Sequence, residues 1–404
     1  MVSASQTAAS RHDLTVLHVG KFYPPTPGGM ERVVQILSET REDGIRNRVL
    51  VSHTSSRTRR ESWRGVPVTR VGAIAFIGSA GVCPTFPLEL ARTARDLTVI
   101  HEPNPLALAS DWVAAQRGPT IVWFHSEVFR PRWKYHLLYR PFLQRVLKRA
   151  VAIVVASPRM AALAEQLEGF RDKCVVIPYG IETDRFEMTD RLRELASGVR
   201  RQFSGPLLLF LGRLVAYKGI DVLIRAMADV DATALVVGDG PLREQLAKEA
   251  GRYRVAHKVR FLGNLSDEQV VAHLYGSDVF VLPSVTAAEA FGLVQLEAMA
   301  CGKPVVSTDL SSGVPWVNQH RRTGIVVPPG DAAALAGALN ELVADPDLRK
   351  TMGSAGRERV QQEFTAERMR SRAATLYHDV LAAHRGARPL VHSRCAVSTE
   401  QDLA

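Results

Sequence analysis

The chain has 404 residues, 46% hydrophobic and 23% charged, a globular balance with apolar material for two cores. Four cysteines (Cys83, Cys174, Cys301, Cys395) without a CxxC pair argue against a zinc site or disulfide framework and suit a reducing cytoplasm, and no run approaches the roughly 18–20 apolar residues of a membrane span. The net charge of +10 lies wholly in residues 1–150, with 21 Lys+Arg against 11 Asp+Glu, while the remaining 254 residues balance at 30 against 30; the first half therefore expects an anionic partner, whether nucleic acid, a membrane surface or a phosphorylated substrate.

Residues 1–13 are a polar lead-in without the apolar core of a signal peptide. LTVLHVG (14–20) predicts a strand, KFYPPTPGG a loop, and Val33, Val34, Ile36 and Leu37 a helix from about Met30. Further strands are expected at 48–53, 66–71, 97–102, 120–125, 152–157 and 173–178, with helical sequence between several of them. This is the alternation of a doubly wound parallel α/β sheet. The polar, turn-rich stretch 179–204 is expected to hold a domain junction. A second series of strands follows at 206–212, 232–240, 258–263, 278–284, 303–308 and 323–330. The expectation is two tandem α/β domains, about 14–190 and 200–365. A last helix, about 366–385, would pack back toward the first domain, and a tail begins near Gly386.

Open parallel sheets bind ligands beyond the carboxyl ends of their strands, and two such domains facing each other would form one cleft. Several motifs fall in those loops. In PPTPGGMERVV, Gly28 and Gly29 precede a helix, where backbone N–H groups attract an anion; a tight turn without a ligand is the alternative, and the pattern is not GxGxxG. His125 in WFHSE ends a strand, where it either bonds a substrate hydroxyl or phosphate or is satisfied by backbone; HEPNP (101–105) has a similar place. Arg213 and Lys218 in GRLVAYKG offer two positive charges to a diphosphate, or else are surface charge at a helix start. Gly238 and Gly240 in VVGDGPL let backbone pass near a nucleotide, or simply turn. The segment RPRWKYHLLYRPFLQRVLKR (130–149) sets Arg130, Arg132, Lys134 and Arg140 among aromatic residues. It can lie on an anionic membrane, bind single-stranded nucleic acid, or be a solvated helix covering the sheet.

The most informative stretch is EAFGLVQLEAMACGKPVV (289–306). With a helix starting near Gly292, Glu289 sits in the loop before it and Glu297 on the helix. Eight residues of helix span ~12 Å, whereas the paired carboxyls of retaining glycosidases stand about 5–5.5 Å apart. Two hydrogen-bonding tasks on one extended ligand fit better than an acid pair. The N–H groups of Phe291, Gly292, Leu293 and Val294 would be free donors, suited to phosphate.

EAFGLVQLE resembles the E-x7-E pattern of the retaining family-4 glycosyltransferases. PGGME, GRLVAYKGIDVLI, VVGDGPLREQL, FLGNLSDEQV, VFVLPS, EAMACGKPVV and TGIVVPPGD extend the resemblance, in family order, over roughly 14–380. It implies a GT-B fold, two Rossmann-like domains facing a central cleft, with a sugar nucleotide held mainly by the second. By position, Arg213 and Lys218 would hold the diphosphate, Glu289 the sugar hydroxyls and Glu297 the ribose. Backbone of Phe291 to Val294 would contact sugar and phosphates, Gly28 and Gly29 would line the cleft opposite them, and His125 would lie near the transferred sugar. Gly238 and Leu265 would lie near base and ribose. The resemblance further implies retention of configuration without a firmly identified protein nucleophile, no cofactor and no metal.

SSGVPWVNQH (311–320) and KFYPPTPGGMERVV are similar to bacterial mannosyl- and rhamnosyltransferases of surface polysaccharide synthesis, although Trp316 stands where the pattern carries a small or acidic residue. This points to GDP-mannose, with a UDP-hexose as runner-up, and to a lipid-diphosphate-linked or oligosaccharide acceptor. The basic half would then serve an anionic membrane at the inner face of the cytoplasmic membrane. A dinucleotide oxidoreductase would carry GxGxxG after the first strand, where this chain has PPTPGG. An epimerase finds no support in the E-x7-E segment, and a nucleic-acid binder, resting on charge alone, is not expected.

Overall fold

The computed structural model describes residues 13–39, 44–77, 80–114, 118–128 and 135–386. Among them, residues 13–124, 135–154 and 370–386 group into one compact unit, and 125–128 with 155–369 into a second.

The first unit carries strands β1 (Leu14–Val19), β2 (Ile45–Ser52), β3 (Arg59–Trp63), β4 (Val66–Val71), β5 (Ala75–Ile77), β6 (Ala80–Val82), β7 (Leu97–Glu102), β8 (Thr120–Phe124) and β9 (Ala152–Val155). Seven of them run in the spatial order β9-β8-β7-β1-β2-β4-β3. Strands β8, β7, β1, β2 and β4 pair in parallel. β7 and β8 are buried at every position, as strands covered on both faces must be, which is why they read as unbroken apolar runs. The order reverses between β1 and β7, so the loops after these two strands flank the switch point of the sheet.

Two features depart from the expected parallel alternation. RRESW forms β3, antiparallel to β4, and β5 with β6 makes a separate antiparallel hairpin. Strand β3 is mostly charged and half-exposed, so no apolar period announces it. It is held by a two-residue turn in which Arg64 and Gly65 have φ of 48° and 85°, the positive-φ pair that matches strand twist in tight hairpins.

Helices α1 (Gly29–Ser38), α2 (Phe86–Arg92), α3 (Pro105–Val113) and α4 (Arg140–Arg149) serve this unit. The predicted stripe of α1, Val33, Val34, Ile36 and Leu37, is buried. A π-helical turn, Tyr135–Tyr139, leads into α4, which buries Leu143, Val146 and Leu147 and leaves Arg140, Arg145 and Lys148 exposed.

The second unit contains β10 (Cys174–Val176), β11 (Leu207–Leu211), β12 (Thr233–Val237), β13 (Val259–Gly263), β14 (Val279–Leu282), β15 (Val305–Thr308) and β16 (Gly324–Val327). Its six-stranded parallel sheet has the order β13-β12-β11-β14-β15-β16. That is the dinucleotide-fold order, and its switch point lies between β11 and β14. Helices α5 (Pro158–Leu163), α6 (Asp190–Arg201), α7 (Ile220–Ala226), α8 (Arg243–Arg252), α9 (Asp267–Gly276), α10 (Leu293–Ala300), α11 (Val314–Val317), α12 (Ala332–Ala344) and α13 (Pro346–Glu363) follow. Leu208, Phe210, Val236 and Val281 pack with Ile220, Leu223, Leu335 and Leu339 in one core.

The polar stretch 179–204 lies inside this unit. Its helix α6 buries Leu192, Ala196 and Val199 and is pinned to α9 and β14 by Arg191–Glu268 and Arg200–Asp278. The last helix, α14 (Ala366–His384), groups with the first unit from Arg370 onward. There Tyr377 packs edge-on against the fully buried His18, and Nδ1 of His18 lies 3.0 Å from Nε2 of the equally buried His101.

Candidate functional site

The switch point of the second unit gathers the charged residues of two loops. Lys218 follows β11 and Glu289 follows β14. Their side chains are each about nine-tenths buried and meet at 2.5 Å, Nζ to Oε2. Gly219 makes the approach possible. Its φ is 65°, and a Cβ there would stand 2.0 Å from the carbonyl oxygen of Pro283, at the end of β14. Ser284 also donates to Glu289 Oε2, at 3.1 Å, and its own carbonyl accepts from Thr308 at 2.5 Å. The ammonium of Lys218 and the hydroxyl of Ser284 thus both meet Glu289 at Oε2, which leaves Oε1 with lone pairs for a ligand hydroxyl.

Burial is the largest single influence on the Lys218 pKa and acts to lower it, but the charge of Glu289, Tyr217 and the hydrogen bond to Glu289 together outweigh it and the net shift is upward. Lys218 therefore stays an ammonium ion. Its Nζ sits 5.6 Å from the ring centre of Tyr217. The Tyr217 hydroxyl, pushed up chiefly by burial, also feels Lys218, Glu289 and Arg213, so all three charges lie around one phenol. Arg213 is exposed.

The backbone after Glu289 is shaped for close approach. Gly292, with φ 69°, is the N-cap of α10, and a Cβ there would lie 2.7 Å from both Gln295 Nε2 and Leu282 Cδ2. The first-turn N–H groups of Leu293 and Val294 have no intrahelical acceptor. Gly313 N–H bonds Ala290 O at 2.7 Å and Gln295 Nε2 bonds Phe291 O at 3.0 Å, fixing the loop from two sides. Glu297, half-buried, lies on α10.

The glycines after the neighbouring strands have a structural reason of their own. Gly238, φ 120°, ends β12, and a Cβ on it would come within 2.1 Å of Gly212 O; one on Gly240 would come within 2.5 Å of Leu214 O. These two glycines let the loops after β11 and β12 lie backbone to backbone. Leu265, half-buried, lies in the loop after β13.

His125 belongs to this unit, and its ring is buried. Its Nδ1 is 2.7 Å from the Tyr179 hydroxyl, and burial lowers its pKa to about 3, so it is a neutral hydrogen-bonding group. Tyr179 stacks on His125 and meets Phe291 edge-on at 4.9 Å. An aromatic line thus ties His125 to the loop that carries Glu289. Trp316 closes that line from behind: it packs on Phe291 and Phe364, and the Arg359 guanidinium lies 5.4 Å from its ring centre. Its place is in the packing that supports Phe291.

In the first unit, Gly28 has an extended backbone, and a Cβ there would stand 1.9 Å from Glu31 Oε2. Glu31 folds back on the start of α1, so a carboxylate already stands at this helix terminus. Burial raises its pKa, against a bond to its own backbone and the charge of Lys21. Gly29 is the first residue of α1. Arg140 starts α4, exposed, while Arg130, Arg132 and Lys134 lie outside the described residues.

Sequence reasoning misses Tyr217, Ser284 and Tyr179. Tyr217 has a local signal, standing between Arg213 and Lys218, and Ser284 ends the strand motif VFVLPS. Tyr179 has none, because its partners are 54 and 112 residues away in the chain (His125 and Phe291). A pocket of about 290 Å³ lined by Phe186, Tyr275, Arg357 and Gln361 carries none of these residues.

Residues 27–185 match the family described as Glycosyltransferase Family 4, and residues 200–359 the family described as Glycosyl transferases group 1. The chain is 32% identical to the D-rhamnosyltransferase WbpZ of Pseudomonas aeruginosa, over 87% of this chain and 93% of that protein. It is 30% identical to the O-antigen chain mannosyltransferase C of Escherichia coli, over 91% of this chain and 99% of that one. Among solved structures, sucrose-phosphate synthase from Thermosynechococcus elongatus superposes with a TM-score of 0.74 at 23% identity, covering 92% of this chain and all of its own.

Proposed function

Because the chain belongs to the family-4 glycosyltransferases and has the GT-B fold, we propose that it moves mannose from GDP-mannose onto a lipid-linked or oligosaccharide acceptor in cell-surface polysaccharide synthesis. In this reading configuration is retained, and neither a cofactor nor a metal is needed. The observation that carries it is the buried Lys218–Glu289 pair at the switch point, with Arg213 beside the same phenol and free N–H groups at the start of α10.

Each part has a chemical task. Transfer leaves a nucleoside diphosphate, whose growing negative charge needs donors fixed in advance. Lys218, Arg213 and the first-turn N–H groups of α10 supply them. Glu289 Oε1 accepts from a sugar hydroxyl and so sets the position of the anomeric carbon. A carboxylate already bonded to an ammonium and a hydroxyl is a weak nucleophile, which favours departure and attack on one face of the sugar over a glycosyl-enzyme bond. His125, neutral, hydrogen-bonds the transferred sugar. Glu297 takes the ribose, and Gly238 and Leu265 lie along the nucleoside. Gly28 and Gly29 line the acceptor side. The relative named as an O-antigen chain mannosyltransferase supports a surface-glycan acceptor, and a relative named as a GDP-mannose-dependent mannosyltransferase, 36% identical over 49% of this chain, supports the choice of donor.

We also place the protein at the inner face of the cytoplasmic membrane. No helix among the described residues is long and apolar enough to cross a membrane. Exposed Trp112, Val113 and Leu137 share the first unit with exposed Arg140, Arg145 and Lys148, a combination suited to an anionic lipid surface.

The test is thermal stabilisation by GDP and by UDP, followed by nucleotide release from GDP-mannose, UDP-glucose, UDP-galactose and UDP-GlcNAc with and without EDTA. GDP stabilisation with GDP-mannose turnover that survives EDTA is expected. Stabilisation by UDP alone overturns the donor, loss of turnover in EDTA overturns metal independence, and an inverted product anomer overturns retention. Stabilisation by neither nucleotide would sink the whole reading.

A further inference from the structure

The first unit holds a second built pocket, of about 320 Å³, at the carboxyl end of its sheet. Its walls come from the loop after β1 (Pro25, Thr26), the end of β2 (Ser52, His53) and the β3–β4 hairpin (Arg59, Glu61, Trp63, Arg70). None of these residues has a task in the site described above.

The pocket combines one aromatic wall with fixed polar groups. Trp63 packs against the cluster of Tyr23, Val34, Val49 and Val66, so the indole is braced while it lines the pocket. Glu61 is gripped at both oxygens, by Arg70 Nε at 2.7 Å on Oε1 and Arg59 Nε at 2.9 Å on Oε2. Arg70 is buried, and its Nη1 and Nη2 donate to the carbonyls of Tyr23, at 3.1 Å, and Pro24. It therefore locks the hairpin to the loop after β1. Arg59 is exposed and keeps donors for a ligand. His53 accepts at Nδ1 from the Ser55 N–H at 2.7 Å, which puts the ring proton on Nε2 as a further donor. A flat aromatic face with planar charged donors and acceptors around it is the chemistry that holds a pyranose ring: the apolar face of the sugar covers the indole, and the hydroxyls bond the guanidinium, carboxylate and imidazole.

We propose that this pocket is a saccharide subsite that holds a sugar unit of the acceptor, with Trp63 as its platform and Arg59, Glu61 and His53 as its hydroxyl contacts. This rests on the glycosyl-transfer reading and adds to it which residues recognise the acceptor. It also explains the uneven motif: the short charged strand RRESW, with no apolar period, is the part of the sheet that faces a ligand.

Saturation-transfer NMR on the full chain tests it, with methyl glycosides of mannose, rhamnose, galactose and N-acetylglucosamine as probes and inorganic phosphate as competitor. At least one glycoside should give a saturable signal that phosphate leaves in place, and that signal should fall at least fivefold in Arg59→Ala and in Trp63→Leu. Arg59 is exposed, so its variant stays informative should the Trp63 variant fold poorly. Nucleotide-induced thermal stabilisation of the same samples reports on the donor side. The subsite is overturned if no glycoside binds, if phosphate displaces it, or if Arg59→Ala leaves the signal unchanged while nucleotide still stabilises the chain. Loss of nucleotide stabilisation in the wild-type chain instead strikes the glycosyl-transfer reading.

Discussion

Lys218 and Glu289 each hold the other's charge in a setting where neither could stand alone. Removing one partner of a buried pair leaves the other uncompensated and costs about 3–5 kcal/mol, whereas replacing both by apolar groups is often neutral. Lys218→Met and Glu289→Met should therefore each lower the melting temperature strongly, and the double variant should recover most of the loss while remaining without transferase activity. A double variant no more stable than the singles would show that the pair is not a closed unit. Glu289→Gln, which keeps the shape, should lose nucleotide release by at least ~100-fold, the size seen when a transition-state contact is removed.

A second residue gives a pH dependence. Glu102 is buried at the end of β7; Oε2 accepts from the Asn104 N–H at 3.0 Å and from the Tyr139 hydroxyl, and Oε1 has no partner among the described residues. Burial raises its pKa from 4.5 to about 7, against those two bonds. A carboxyl whose folded pKa is raised stabilises the fold below about pH 4.5 and loses that contribution as pH rises through about 7. Buried His18, lowered by burial to about 4, acts in the opposite sense: its contribution is whole above 6.5 and is lost as pH falls toward 4. The two windows overlap, so the difference between Glu102→Gln and wild type is the quantity to measure. The variant should gain on wild type in melting temperature between pH 4.5 and 8, and a flat difference would deny Glu102 its buried proton.

At the scale of the element, strands and helices set what each loop can do. The parallel strands were legible because strands covered on both faces are apolar throughout, as in LTVIHE and TIVWF. α1 was legible from its 3.6-residue stripe. β3 was not, since its stability comes from a cross-strand partner and a positive-φ turn at Arg64 and Gly65. The charged members of the site were legible because Arg213, Lys218 and Glu289 sit in the loops that follow apolar strands, where a parallel sheet holds its ligands. That Lys218 and Glu289 touch was not, since 71 residues separate them in the chain and only the strand order β12-β11-β14 brings their loops together. The glycines test the same division. Gly238→Ala must both adopt φ 120° and displace Gly212 O, so it should destabilise by more than the ~1–3 kcal/mol of backbone strain alone. Gly337 lies inside α12, exposed, and a Cβ there would meet no atom within 4 Å, so Gly337→Ala should stabilise by ~0.5–1 kcal/mol. Melting both variants beside wild type settles whether each glycine serves packing or merely fills a position.

On the scale of the whole molecule, the excess of positive charge is confined to residues 1–150 while the half that carries Lys218 and Glu289 is balanced. The second half places Arg213 and Lys218 at the candidate site and pairs others of its cations with acids, as in Arg200–Asp278 and Arg185–Asp267. We propose that the basic surplus of the first half serves an anionic lipid surface rather than the nucleotide. On α4, Arg145 and Lys148 stay exposed beside Arg140, and Trp112 of α3 meets Phe142 of α4 edge-on at 5.1 Å, which sets the apolar and basic exposures of α3 and α4 side by side. Attraction to anionic lipid amounts to about 1 kcal/mol per basic residue near the surface and fades beyond a Debye length of about 8 Å at physiological salt. Replacing Arg140, Arg145 and Lys148 by glutamine should then weaken co-sedimentation with vesicles of 30% phosphatidylglycerol by roughly 100-fold at low salt, and 0.5 M NaCl should have a similar effect on wild type. Trp112→Ala should weaken binding in a manner that salt does not reproduce, because its contribution is apolar. Donor hydrolysis in solution needs no vesicle and serves as the control for folding, and a triple variant that binds vesicles as well as wild type would return the charge of the first half to a soluble anionic partner.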